Sequence, residues 1–161
     1  MSKVHDLILI RHEEAEGNVA MVKSKFRGDE SLFTPEFRKK PSDTWHLTDR
    51  GRERCKAIRG WLEKRVPIGD KFRLITSPSV RAVETANLIL PASAWEENRL
   101  VRGRSWGGIE CIPWSEWPEF CKSHGMTLFL LDFIRPIRTE KHWPKSGKGQ
   151  ESLSTLLMKI L

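Results

Sequence analysis

The sequence predicts a layered α/β fold with a largely parallel sheet, and two observations carry the prediction. Two short apolar runs, Leu7-Ile8-Leu9-Ile10 and Phe72-Arg73-Leu74-Ile75, are too short for helices. Each is followed by polar residues and then a helical pattern, and strands alternating with helices place the helices on the faces of a parallel sheet. At 161 residues the chain reads as one domain over 1–161, large enough for a core.

The elements follow in order. Leu7–Ile10 and Leu74–Ile75 are expected to be neighbouring parallel strands. A long polar insert, roughly Asn18 to Trp45, reads as a helix plus an irregular loop over the site. The first long helix is expected to begin at Thr48, a good N-cap, with Asp49 in its first turn, and to end before Pro67. Ile58, Trp61 and Leu62 share one of its faces. Ser77-Pro78 announces the next helix as a capping residue followed by proline at the first helical position. Its apolar stripe is Ala82, Ala86 and Ile89, and Pro91 ends it. Residues 111–148, with their prolines, glycines and tryptophans, read as a loop-rich cap. Leu153, Leu156, Leu157, Ile160 and Leu161 then follow the helical i, i+3, i+4, i+7, i+8 rule, and the pattern stops without a closing Gly, Asn or Pro. A helix cut in mid-pattern is the mark of a domain truncated at its C-terminal end.

Composition narrows the function classes. Apolar residues make up 39% and charged residues 30%, ordinary for a globular chain. The longest apolar stretch, Met126 to Ile134, is too short for a membrane span and contains Asp132. No signal peptide is apparent, since His5 and Asp6 precede the first apolar run. Three cysteines, Cys55, Cys111 and Cys121, are odd in number and widely spaced, against a disulfide framework and against a structural zinc site. A reducing cytoplasm is the default location. The net charge of +7 comes from basic residues interleaved with acids, as in Arg50-Gly51-Arg52-Glu53-Arg54, without an aromatic-basic RNA signature. That pattern suits a small anionic substrate or a solvated surface better than nucleic acid. No cofactor or metal motif stands out, and nothing in the sequence speaks to oligomeric state.

The chemistry concentrates at the strand ends. Arg11-His12 sits at the carboxyl end of the first apolar run, where open α/β sheets bind their ligands. Arg81 falls in the first turn of a helix, where backbone N–H groups and the dipole favour an anion. Two guanidinium forks would thus flank one imidazole. A neutral His beside bound phosphate can form a phosphohistidine and divide one hard displacement into two easier ones. The spacing alone equally fits a His in a surface turn and Arg81 in a surface ion pair.

Larger motifs separate these readings. Leu9-Ile10-Arg11-His12-Glu13-Glu14-Ala15-Glu16-Gly17-Asn18 resembles the Arg-His-Gly signature of the histidine phosphatase superfamily, phosphoglycerate mutase-like branch. His46-Leu47-Thr48-Asp49-Arg50-Gly51 is similar to its Leu-Thr-x-x-Gly helix start. Thr76-Ser77-Pro78-Ser79-Val80-Arg81-Ala82-Val83-Glu84-Thr85-Ala86 is similar to its Ser-Pro-x-x-Arg-Ala-x-x-Thr-Ala block. Leu100 through Trp106-Gly107 resembles its Leu-x-Glu-x-x-aromatic-Gly segment, and Gln150-Glu151-Ser152 its late Gly-Glu-Ser helix. The resemblance implies a three-layer α/β/α sandwich with the site at the sheet's carboxyl edge. It implies a phosphatase acting on a small phosphorylated substrate, with His12 as nucleophile, Arg11 and Arg81 as phosphate ligands and Asn18 orienting the substrate.

The chain departs from the family pattern in three places. Glu13 replaces the Gly after the nucleophile, and its charge would oppose phosphate unless turned away. The family's general-acid Glu falls on Gly103, leaving Glu13, Glu14 and Glu110 as the first substitutes to consider. The family's second His follows the late helix, on a strand that the sequence does not reach. Ser123-His124-Gly125 imitates that motif but lies ahead of the late helix and reads as a decoy. His12-Glu13 is not a zinc helix, because residue 16 is Glu, and Gly147-Lys148-Gly149 is not a P-loop. Trp106, Trp114 and Trp117 read as packing or as the rim of a substrate mouth. The competing reading is a non-catalytic phosphate-binding relative, which Gly103 favours, or a fragment of a longer enzyme, which the pattern broken off at Leu161 favours.

Overall fold

A computed structural model describes residues 7–66, 72–91 and 93–126. The fold is mixed α/β, with five α-helices and one small parallel sheet among the described residues.

α1 (Glu16–Arg27) has Glu16 in its first turn and Lys25 and Arg27 in its last, charges that complement its dipole. It closes on Gly28, whose φ of 65° suits glycine, and Gly28 and Asp29 return their N–H groups to Ser24 and Lys23. α2 (Pro35–Lys39) is capped by the Thr34 hydroxyl, and a 3-10 turn follows at Ser42–Thr44. The polar insert is therefore a helix plus a loop, with a second short helix inside it.

α3 (Asp49–Arg65) begins as expected, with Thr48 Oγ1 accepting from Gly51 N at 3.0 Å, and ends short of Pro67. Of its predicted apolar face, Leu62 is buried and Ile58 partly so, whereas Trp61 is exposed. Gly51 explains the glycine of its motif physically. A Cβ there would lie 2.2 Å from the Glu14 carbonyl oxygen, so only glycine lets the His12 loop rest on the helix start.

β1 (Ile75–Thr76) leads into α4 (Val80–Ile89) and then β2 (Glu96–Glu97), which pairs with β1 in parallel, Ile75 opposite Glu96 and Thr76 opposite Glu97. Two sequence expectations change here. Among the described residues β1 pairs with Glu96–Glu97, whereas Leu7–Ile10 carries a bridge residue at Ile8 rather than a regular strand. The helix also starts two residues later than Ser77-Pro78 suggests. Ser77 is buried with its hydroxyl on Ser79 N and Ser79 Oγ, and this local turn competes with helix initiation.

The predicted stripe Ala82, Ala86 and Ile89 is fully buried. Small residues let α4 approach α3 closely, and Ile89 joins Ala15, Leu47, Cys55 and Leu62 in the main core. A second cluster gathers Ile109, Trp117 and Cys121 around the short α5 (Trp117–Ser123). Trp106 and Trp114 pack against it, so the tryptophan-rich stretch packs instead of forming a mouth. No helix among the described residues is long and apolar enough to cross a membrane. The late Glu151-Ser152 motif and the apolar pattern after it lie outside the described residues.

Candidate active site

His12 and Arg81 come from opposite ends of the fold's logic, one from a loop after an apolar run, the other from the first turn of α4. His12 Nδ1 lies 2.7 Å from the Glu13 carbonyl oxygen, which can only accept, so Nδ1 carries the proton. Nε2 is then a bare lone pair, and it accepts from Arg81 Nε at 3.0 Å. Thr85 completes a ring. Its hydroxyl accepts from Glu13 N at 3.3 Å and donates to the Arg81 carbonyl at 2.7 Å, tying the His12 loop to the helix that carries Arg81.

Electrostatics keep the imidazole neutral. Burial lowers the His12 pKa most, and the charges of Arg81 and Arg11 lower it further; against the opposing bond to the Glu13 carbonyl the result is about 4. Burial also draws the Arg81 pKa down, with Glu110 and Asp43 opposing, yet a guanidinium remains a cation in any case. Arg81 Nη1 donates to the Ser42 carbonyl, which anchors the group from the polar insert, and the guanidinium lies 6.0 Å from the centre of the Trp45 ring.

These groups open on a cleft of about 180 Å³. Arg11, His12 and Arg81 line it together, as the sequence predicts, with Ser42, Asp43, Glu110 and the segment 102–105. Four arginines (Arg11, Arg81, Arg102 and Arg104) face two carboxyl groups (Asp43 and Glu110), so the cleft favours an anion.

The acids beside His12 are turned away from it. Glu13 pairs with Arg54 at 3.1 Å, and the Glu14 carboxylate accepts from the Thr48 hydroxyl at 2.8 Å. The charge conflict that Glu13 poses in sequence is thereby relieved. Asn18 lies outside the cleft lining, with its carboxamide oxygen on Ala15 N at 3.0 Å, closing the start of α1. Gly103 does line the cleft, and a Cβ there would meet open space. His124 is exposed and stacks on Phe120 with ring centres 4.0 Å apart, away from the cleft lining.

Sequence reasoning missed Ser42, Asp43, Arg102, Arg104 and Ser105. Ser42 and Asp43 carry no motif, and only the position of the insert over the site pointed toward them, while Arg102, Arg104 and Ser105 lie inside the Leu100 to Gly107 segment, whose pattern assigns them no role.

The model of the histidine phosphatase superfamily, branch 1, matches residues 7–125. The chain belongs to that superfamily, in its phosphoglycerate mutase-like branch. Neither the curated proteins nor the solved structures gave a match.

Proposed function

We propose that the chain is a cytoplasmic phosphomonoester hydrolase that works through a phosphohistidine on His12. The observation that carries this reading is the 3.0 Å contact of Arg81 Nε with a deprotonated His12 Nε2, inside a cleft that Arg11 also lines. An entering phosphate draws Arg81 onto its own oxygens through the guanidinium fork and uncovers the Nε2 lone pair. That pair attacks phosphorus, and water later cleaves the P–N bond. Arg11 and Arg81 bind the phosphoryl oxygens in both steps. Asn18, with its oxygen engaged, would orient substrate only through its Nδ2 donors. Hydrolysis fits better than mutase transfer, because a mutase needs a water-excluding site for two phosphates. The reading includes a single domain with the family's three-layer α/β/α sandwich and needs no cofactor.

A non-catalytic phosphate-binding relative is the second reading, and the bare Gly103 in the cleft favours it. The test is turnover of an aryl phosphate by the intact chain, with His12→Ala as the blank. A rapid quench should trap acid-labile, base-stable phosphate on the wild type and none on His12→Ala. Turnover that survives His12→Ala sinks the hydrolase reading; tight phosphate binding without turnover establishes the second one.

A further inference from the structure

The proposed hydrolysis makes a demand that His12 and the arginines cannot meet. When the P–O bond of an alkyl ester breaks, the electron pair stays on an oxygen that must gain a proton to leave as an alcohol. The Nδ1 proton of His12 is held by the Glu13 carbonyl, and Nε2 is the attacking atom. Guanidinium groups do not release protons at any accessible pH. Gly103 has no side chain. Among the described residues, the carboxyl groups lining the cleft are those of Asp43 and Glu110.

Geometry separates the two. Asp43 is committed to the Arg102 guanidinium, 3.4 Å away. Glu110 forms no ion pair among the described residues, and its Oε2 accepts from the Ser42 hydroxyl. The carbonyl of that same Ser42 accepts from Arg81 Nη1, and Arg81 Nε reaches His12. A chain of contacts, Glu110 to Ser42 to Arg81 to His12, therefore ties one carboxyl group to the cleft that His12 lines. The Ser42 hydroxyl engages Oε2, and Oε1 makes no hydrogen bond or ion pair among the described residues.

We propose that Glu110, held by Ser42, is the catalytic proton donor that replaces the side chain missing at Gly103. The inference rests on the hydrolase reading above. In the first step the Nε2 lone pair forms the P–N bond and the P–O bond breaks. Its electron pair takes the proton from Glu110 Oε1, so the alcohol departs and a carboxylate remains. In the second step that carboxylate removes a proton from water as the oxygen attacks phosphorus. The P–N pair returns to Nε2, inorganic phosphate leaves, and Glu110 is again protonated.

The experiment compares kcat/KM of the full chain and of Glu110→Gln, Glu110→Asp and Asp43→Asn on two esters. One is p-nitrophenyl phosphate, whose phenolate leaves without a proton; the other is a simple alkyl phosphate. Glu110→Gln should lose on the order of 10²–10⁴-fold on the alkyl ester and far less on the aryl ester. Glu110→Asp should recover part of the alkyl rate, and Asp43→Asn should change both esters by a similar factor. Equal losses on the two esters in Glu110→Gln would make the residue structural and overturn the proposal. So would a selective alkyl loss in Asp43→Asn, or an intact chain that cleaves the aryl ester and no alkyl ester at all. Activity that persists in His12→Ala brings down the hydrolase reading instead, which keeps the two failures apart.

Discussion

Arg81 and His12 hold each other: the guanidinium Nε donates to imidazole Nε2 across 3.0 Å, while His12 Nδ1 is held 2.7 Å from the Glu13 carbonyl. The same arginine that is proposed to bind phosphate therefore guards the lone pair that would attack it. Vanadate or phosphate should bind the cleft, and Arg81→Ala should weaken that binding by about 1.5–3 kcal/mol, the range for hydrogen bonds to charged groups. Arg81→Lys should rescue poorly, because a point charge cannot reproduce the fork. Titration calorimetry giving equal affinity for wild type and Arg81→Ala would remove the cradle from the argument.

The His12 pKa of about 4, set first by burial and then by Arg81 and Arg11, has a definite sign. A folded-state value below the unfolded value of about 6.5 means that the unfolded chain binds more protons in the window between them. Stability should thus be lost as pH falls through that window, and His12→Ala should remove this part of the loss. The ring C–H resonances of His12 should titrate near 4, so the imidazole stays neutral throughout the physiological range. A midpoint near 6.5 would mean that the ring is solvated and the cleft more open than described.

Thr85 is the joint between the His12 loop and α4. Thr85→Val preserves volume but strips Glu13 N of its acceptor, an unsatisfied group costing about 1–3 kcal/mol. The loop should also drift, so kcat should fall more than KM rises. Thermal melting and steady-state kinetics on one preparation check both effects. An unchanged kcat would show that the loop is held by other contacts.

The uneven legibility of the sequence has physical reasons. α3 was readable because Thr48, Asp49 and Pro67 are local signals, and the Ala82, Ala86 and Ile89 stripe because burial follows helical period. β2 was invisible: Glu96-Glu97 has no apolar pattern, and only the parallel pairing with β1 makes it a strand. The start of α4 was misplaced because Ser77 uses its hydroxyl within the turn, a choice that propensity alone does not reveal. Arg11, His12 and Arg81 were found through motif and strand-end logic. Ser42 reaches the cleft only through tertiary contacts, and Arg102 and Arg104, although inside the Leu100 to Gly107 segment, have no assigned place in its pattern and show their role only in contacts such as the Arg102–Asp43 pair.

Gly51 offers a test of the scaffold that leaves the cleft residues untouched. Gly51→Ala drives a Cβ to within 2.2 Å of the Glu14 carbonyl oxygen, which is backbone and cannot rotate aside. The loop or the helix start must shift, at about 1–3 kcal/mol by the scale of overpacked sites. Denaturant unfolding measures the loss. Because Glu14 is only two residues from His12, phosphate affinity should fall alongside stability. Loss of stability with intact affinity would show that the His12 loop is positioned by Thr85 alone.

Gly103 supplies the last prediction. It lines the cleft, and a Cβ there meets no atom within 4 Å, so a side chain can begin at this position without a clash. Gly103→Glu should therefore fold normally and add a second carboxyl group to the cleft. In the unaltered background the gain on alkyl phosphates should be modest, because Glu110 already supplies a proton and effects within one site do not add. In the Glu110→Gln background the same substitution should restore a large part of the lost alkyl rate, while aryl phosphate turnover moves little. Arg102 and Arg104 flank the new carboxylate and favour its ionised form, which limits the recovery to less than the full factor. Recovery should accordingly be greatest at low pH, where the introduced Glu carries its proton. If Gly103→Glu improves alkyl turnover equally with and without Glu110, the two positions act independently. Glu110 would then have no part in protonating the leaving group.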